Sequence, residues 1–365
     1  MKLLYITNGI NGSGGLERVL SIKASNFAEN PYYEVHIAAL NTGTQNLFYN
    51  FSNKIHFHEI PVYGNPLKYI MSYASGFVKL VKEIKPDIVL VCDDGLKGFF
   101  LPLILGKPCP MIYERHVSKN IELKNNAGFL DRFFFRIKSG LMSYFSNSFD
   151  AFVVLTKDNL IEWKSTKNIH IISNPLSFFS NQSATLEEKK VIAVGKQSFQ
   201  KGFDLLLKSW KTVNQKHPEW TLEIYGKKDS SIGLENLAKE LEVETSVHFF
   251  EPVKDIESKY LNSSIYALSS RFEGFGMVLI EAMACGLPCV SFDCPCGPKD
   301  IIKNGEDGFL VEAENTNEFA EKIIFLIENQ KDRKEMGTKA KENVKRYLPE
   351  EIVCQWENLF KKLLR

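Results

Sequence analysis

The feature that most limits what this chain can fold into is a rhythm of short apolar runs and helical segments that lapses once and then begins again. Residues 2–7, 34–39 and 88–91 read as strands, separated by a helix over about 15–28 and another over 69–84, and residues 111–114 and 151–155 extend the series. Strands that alternate with helices pair in parallel, with the helices covering the sheet faces. The polar stretch 177–188 breaks the pattern and reads as a linker. A second cycle follows: strands at 191–194, 221–225, 247–249, 265–268, 288–292 and 308–311, with helices at 203–217, 232–241, 256–261, 275–285, 316–330 and 332–346.

With 365 residues, the chain is longer than one hydrophobic core usually serves, so two doubly wound α/β domains in series are expected. Their bounds are 1–175 and 176–348. Residues 349–365 form a separate amphipathic helix, with Ile352, Val353, Trp356, Leu359, Phe360 and Leu363 on one face, that needs a surface to cover.

Composition excludes several classes. At 44% hydrophobic and 24% charged residues the chain is neither disordered nor a disulfide scaffold. Residues 1–180 carry 19 Lys and Arg against 14 Asp and Glu, and the remainder 26 against 30. That mild asymmetry does not suggest nucleic acid, but a basic first half suits an anionic membrane surface or a phosphate-bearing acceptor. The opening Met-Lys-Leu-Leu-Tyr-Ile-Thr turns polar too soon for a signal peptide, and no run approaches the roughly 20 apolar residues of a membrane span. A cytoplasmic location, with peripheral attachment to the inner face of the membrane, is expected. Seven cysteines without a leader read as reduced thiols. Cys285, Cys289, Cys294 and Cys296 lack paired metal-ligand spacing and read as small buried side chains rather than a metal site.

In open parallel sheets, ligands bind beyond the carboxyl ends of strands, and four loops there carry chemistry. Gly14 and Gly15 open the first helix, where bare backbone amides can meet an anion, although a tight strand-to-helix turn uses the same residues. His116 follows the 111–114 strand; such a histidine is either structural or faces the ligand. Lys196 and Lys201 flank the loop after 191–194, either as solvated lysines or as a pair neutralising a diphosphate. The fourth loop leads from Ser269 through Glu273 to Glu281, with Gly274 and Gly276 before a helix that ends at Gly286-Leu-Pro288. The amides of Gly276, Met277 and Val278 head that helix as an anion site. The apolar residues around Glu281 argue against an ordinary exposed glutamate.

This fourth motif resembles the retaining, GT-B-fold glycosyltransferases of family 4. The matching residues are Glu273 and Glu281 with seven residues between them, Gly274-Phe-Gly276, and Glu281-Ala-Met-Ala-Cys-Gly-Leu-Pro-Cys-Val. Gly12-Ser-Gly-Gly-Leu-Glu17, Ser173-Asn-Pro175, Val194-Gly195 through Lys201-Gly202, and Asn304-Gly-Glu-Asp-Gly308 carry the likeness along nearly the whole chain.

The resemblance implies two Rossmann-like domains facing across a deep cleft, the first binding acceptor and the second donor, with the terminal helix returning to the first. It implies a donor site of Gly14, Gly15, Gly195, Lys196, Lys201, Glu273, Gly274, Phe275, Gly276, Met277, Val278 and Glu281. Within it, Lys196 and Lys201 would bind donor phosphates, Glu273 the transferred sugar and Glu281 the ribose, and His116 would lie beside the sugar's reactive face. His116, Lys196, Lys201 and Glu273 are the catalytic set.

Two departures from the family stand out: Lys196 replaces a more common Arg, giving a point charge for a planar clamp, and Glu251-Pro252 replaces a Gly close to the usual place of the base. The expected reaction is transfer from a nucleoside diphosphate sugar (a UDP-sugar such as UDP-GalNAc, UDP-GlcNAc, UDP-Glc or UDP-Gal) to a saccharide or polyprenyl-linked acceptor in surface polysaccharide assembly. No cofactor is expected, and no metal, since the two lysines and the helix terminus can stabilise the leaving diphosphate. Same-face substitution assisted by that phosphate fits better than a covalent carboxylate intermediate. A GT-B-fold sugar-nucleotide epimerase and a silent nucleotide-sugar-binding or membrane scaffold protein are the competing readings. Residues 119–145, aromatic and basic, read either as a contact with an anionic membrane or as a core helix.

Overall fold

A computed structural model describes residues 1–12, 14–42, 47–119 and 128–365, with the backbone alone for residue 129. The chain divides into two compact units, Met1–Ser177 with Pro349–Arg365, and Phe178–Leu348.

The first unit runs β1 (Lys2–Thr7), α1 (Gly15–Glu29), β2 (Glu34–Leu40), β3 (His56–Ile60), α2 (Pro66–Ile84), β4 (Ile88–Cys92), α3 (Leu101–Leu105), β5 (Met111–Glu114), α4 (Phe129–Ser146), β6 (Ala151–Val154), α5 (Lys157–Glu162) and β7 (Ile169–Ile171). Its strands form one parallel sheet in the order β3-β2-β1-β4-β5-β6-β7. β4 and β5 are buried along their whole length, as strands covered on both faces must be. Local chemistry starts α2: Pro66 stands in its first turn and the Asn65 side chain accepts the Lys68 amide at 3.0 Å.

The second unit runs β8 (Lys190–Val194), α6 (Phe203–Lys216), β9 (Thr221–Tyr225), α7 (Leu234–Glu240), β10 (Val247–Phe250), α8 (Ile256–Leu261), β11 (Ile265–Leu268), α9 (Met277–Ala284), β12 (Cys289–Phe292), α10 (Pro298–Ile301), β13 (Gly308–Val311), α11 (Thr316–Glu328) and α12 (Gln330–Asn343). Its parallel sheet has the order β10-β9-β8-β11-β12-β13. Trp210, Phe203, Phe292 and Phe319 fill its core, and the Trp210 indole donates to Ser246 Oγ at 3.0 Å.

Helix α13 (Pro349–Leu363) follows the second unit in sequence but packs on α1 of the first. Ile352, Trp356, Leu359 and Phe360 are its buried face. Phe360 lies 5.5 Å from Phe27, centroid to centroid, and Tyr33 donates to Glu357 at 3.0 Å. The amphipathic pattern thus has its partner.

Two expectations need correction. The stretch 177–188 is not a free linker: from Phe178 onward it belongs to the second unit, where Ala184 N donates to Cys285 O at 2.8 Å and the Arg333 guanidinium donates twice to Leu186 O. Its polar side chains from Asn181 to Glu188 face out while its backbone is held. The core-helix reading of 129–145 also fails on one face. Leu130, Phe133, Phe134, Ile137, Leu141 and Tyr144 are all exposed, while Met142 and Ser146 turn inward. Residues 120–127 lie outside the described part.

Candidate active site

In each sheet the strand order turns at the centre, between β1 and β4 in the first unit and between β8 and β11 in the second. Such switch points leave a crevice beyond the carboxyl ends of the two strands. In the second unit the loops leaving β8 and β11 carry Lys196–Lys201 and Ser269–Gly276.

Those two loops are laced together. Ser269 Oγ donates to Lys201 O at 2.9 Å, Arg271 N to Gln200 O at 2.8 Å, and Gln200 Nε2 to Phe272 O at 3.1 Å. The Arg271 guanidinium forks onto Asp204 at 2.8 and 2.7 Å and reaches Phe199 O at 2.8 Å. Gly202, at φ 61°, approaches Ser269 O so closely that a Cβ would collide with it.

The result is one defined pair. Lys201 Nζ lies 2.8 Å from Glu273 Oε1, both side chains largely buried. Ser270 Oγ donates to the same oxygen at 2.6 Å. Among the described residues no donor reaches Oε2. Three residues further on, Gly276 caps α9 at φ 100°, a backbone conformation that glycine adopts without strain. The leading amides of α9, at Met277 and Val278, have no intrahelical acceptor, so the helix presents its positive end beside the pair.

The remaining expected residues of this unit take distinct places. Lys196 is exposed. Gly195 lies under the aliphatic chain of Lys201, with a would-be Cβ 3.0 Å from Lys201 Cδ. The Phe275 ring is buried against Tyr347, centroids 5.5 Å apart, so it offers a ligand only backbone. Glu281, fifth in α9, is 1% exposed. The four clustered cysteines are all buried, and burial pushes the thiol of Cys285 up to about 12 and those of Cys289 and Cys294 upward. They are inert packing groups.

His116, Gly14 and Gly15 belong to the first unit. At the start of α1 the Glu17 carboxylate folds back against Gly12 and Gly14, where any Cβ would meet it. This helix end therefore carries an anion of its own. His116 stands after β5, its amide 3.2 Å from Asp94 Oδ1 and its Nε2 3.3 Å from Glu114 Oε1. Cys92, Glu114 and His116 bring a thiol, a carboxylate and an imidazole within 4.8 Å of one another. The Lys23 ammonium is ion-paired to the same carboxylate, so the positive charge this group calls for is already present.

Ser270, Arg271, Asp204 and Glu114 carry no signal of a role in the sequence. Ser270 and Arg271 stand in the same loop as Glu273, and Asp204 in the first turn of α6, but pairing across two loops leaves no trace in one-dimensional spacing.

The profile described as "Glycosyl transferases group 1" matches residues 177–343, and that described as "Glycosyl transferase 4-like" matches residues 13–147. An uncharacterized glycosyltransferase of Haemophilus influenzae is 32% identical over 98% of this chain and 99% of its own length. The chain belongs to the glycosyl transferases group 1. Similar to this transferase is also the amylovoran biosynthesis glycosyltransferase AmsD of Erwinia amylovora, 29% identical over 98% of this chain and 99% of that one. Among solved structures, Anabaena Alr3699/HepE in complex with UDP superposes with a TM-score of 0.81 at 18% identity, each chain covered fully. The two parallel-sheet units of this transferase are thus those of the GT-B glycosyltransferases.

Proposed function

We propose that this transferase moves a sugar from a UDP-sugar to a saccharide or lipid-linked acceptor during surface polysaccharide assembly, with retention of anomeric configuration and without a metal. The observation that carries the reading is the Lys201–Glu273 pair at the β8/β11 switch point, directly before the N-terminus of α9. The UDP held by HepE and the polysaccharide pathway named for AmsD support the donor and the setting.

The chemistry follows from where charge develops. As the anomeric carbon loses its diphosphate it becomes cationic, and the leaving group gathers negative charge. Lys201, Lys196 and the amides of Met277 and Val278 stabilise that anion. Ser270 and Lys201 fix one oxygen of Glu273, so the other is aimed at a sugar hydroxyl rather than serving as a nucleophile. Glu281 holds the ribose and His116 lies at the sugar's reactive face. The acceptor hydroxyl then bonds to the anomeric carbon on the face the phosphate leaves and gives its proton to that phosphate, so the diphosphate departs carrying it.

Glu273→Gln keeps the shape and loses the charge. Turnover of a UDP-sugar with acceptor falls by about a hundredfold or more, while UDP affinity stays near that of the wild type. Unchanged turnover in E273Q contradicts the role. Proton NMR of the first-formed product reads the anomeric configuration, and release of an isomerised donor without an acceptor product would mark an epimerase instead.

A further inference from the structure

We propose that Lys23, Glu114 and Trp356 form a buried positioning chain that holds the His116 imidazole with its Nε2 proton turned to Glu114 and its Nδ1 lone pair presented to a ligand hydroxyl. The inference rests on the reading that His116 acts at the sugar, and it names what sets that group.

Each link is on a different element of the first unit. Lys23, on α1, and Glu114, at the end of β5, are ion-paired at 1% and 2% side-chain exposure. The Lys23 ammonium is boxed by aromatic faces, 4.2 Å from the Trp356 ring centre and 5.3 Å from that of Tyr5. Trp356 arrives on α13, so the terminal helix closes the box.

Glu114 then divides its oxygens. Oε2 receives Lys23 and the Cys92 thiol, the latter at 3.2 Å, and Oε1 faces His116 Nε2 at 3.3 Å. Burial alone would raise the Glu114 pKa, but the Lys23 ammonium holds it well below the usual carboxylate range. An ionised carboxylate only accepts hydrogen bonds. The nitrogen facing it must therefore donate, and in a neutral imidazole the other nitrogen is then a bare acceptor.

That other nitrogen is the second observation. His116 Nδ1 is buried and has no hydrogen-bond partner. Leaving such an atom unsatisfied carries a desolvation cost, and a ligand hydroxyl donating to it would remove that cost. A buried ion pair is seldom worth keeping for stability, since apolar residues of like size often serve as well or better. Fixing a tautomer is a use that apolar residues cannot supply.

The test uses the full-length chain labelled with ¹⁵N-histidine, the His116 signals being assigned through H116Q. The wild type shows the Nε2-protonated tautomer. K23M/E114M, which removes both charges together and so keeps the fold, gives a mixture of tautomers. Its melting temperature stays at or above that of the wild type, and its kcat falls about tenfold or more with donor KM unchanged. K23M/E114Q, which retains an acceptor oxygen without leaving a buried ammonium unpaired, recovers part of the loss. Signals of His116 indistinguishable from wild type in K23M/E114M overturn the inference, whatever turnover does. Signals that move while kcat does not leave the positioning chain standing and remove His116 from the transfer reaction.

Discussion

Glu273 shows how one side chain is given a direction. Lys201 and Ser270 both bind Oε1, so the carboxylate cannot rotate freely and Oε2 has a fixed aim. Its neighbour Arg271 does no chemistry in this account, yet its fork onto Asp204 fastens the loop that carries Glu273. The first unit also holds a pH-sensitive cluster of histidines. His36 and His58 join through their ring nitrogens at 2.9 Å, His56 stacks on His36, and Glu34 and Glu83 are the nearby acids. Burial lowers the pKa of both His36 and His58 from the ordinary 6.5, so the unfolded chain takes up protons first as the pH falls. Stability from these groups is complete above 6.5 and is lost as the pH drops through 6.5 and below. Urea unfolding should show a lower midpoint at about pH 5.5 than at about pH 7.5, with a smaller drop in H58L. Equal midpoints at the two pH values would contradict it. The motif residues were legible because glycines, lysines and glutamates stood after strands. Ser270, Arg271 and Glu114 were not, because their partners lie 3 to 91 positions away in sequence and only folding makes them neighbours.

At the scale of elements, α4 has two faces that ask for different surroundings. Met142 and Ser146 join the first unit, and Phe145 packs at a tilt on Phe100 just before α3, while the stripe from Leu130 to Tyr144 is exposed. Arg132 and Arg136 stand exposed beside the stripe. An apolar stripe flanked by basic residues suits the interface of an anionic bilayer, where a lipid-linked acceptor would be found. No helix among the described residues is long and apolar enough to cross a membrane. Full-length protein should therefore float with phosphatidylglycerol vesicles about tenfold more strongly than with phosphatidylcholine vesicles, and F133E/F134E should abolish the difference without unfolding the chain. Equal partition of wild type and variant would remove α4 as the contact. Central strands such as β1, β4, β8 and β11 are readable to within a residue or so, because burial on both faces writes them as apolar runs. β3 and β7 were not read: His-Phe-His-Glu-Ile and Ile-His-Ile stand at the edges of the sheet, partly exposed, and carry no such run. Nor could spacing say that α13 would find α1; amphipathicity shows that a helix needs a partner, not which one.

Across the whole molecule, two units of the same plan have been given unequal equipment. Each has a switch point at the centre of its sheet, but the helix end after β1 is met by the chain's own Glu17, whereas α9 starts at Met277, shortly after Glu273 of the Lys201–Glu273 pair, with no side-chain cap at its Gly276. The donor nucleoside diphosphate is therefore proposed to bind the second unit, where the group 1 profile also falls. Family and fold were legible in the sequence because the Glu273-to-Glu281 motif and the restarted β/α rhythm are both written locally. The donor's base and the acceptor were not, since shape and hydroxyl pattern are read by surfaces assembled from many loops. The most direct test of the account is a calorimetric titration of UDP into the wild type and into K201A. The account predicts saturable UDP binding to the wild type and binding weaker by about tenfold or more, a loss of about 1.4 kcal/mol or more, in K201A. No UDP binding to the wild type, or equal affinity in K201A, would contradict it.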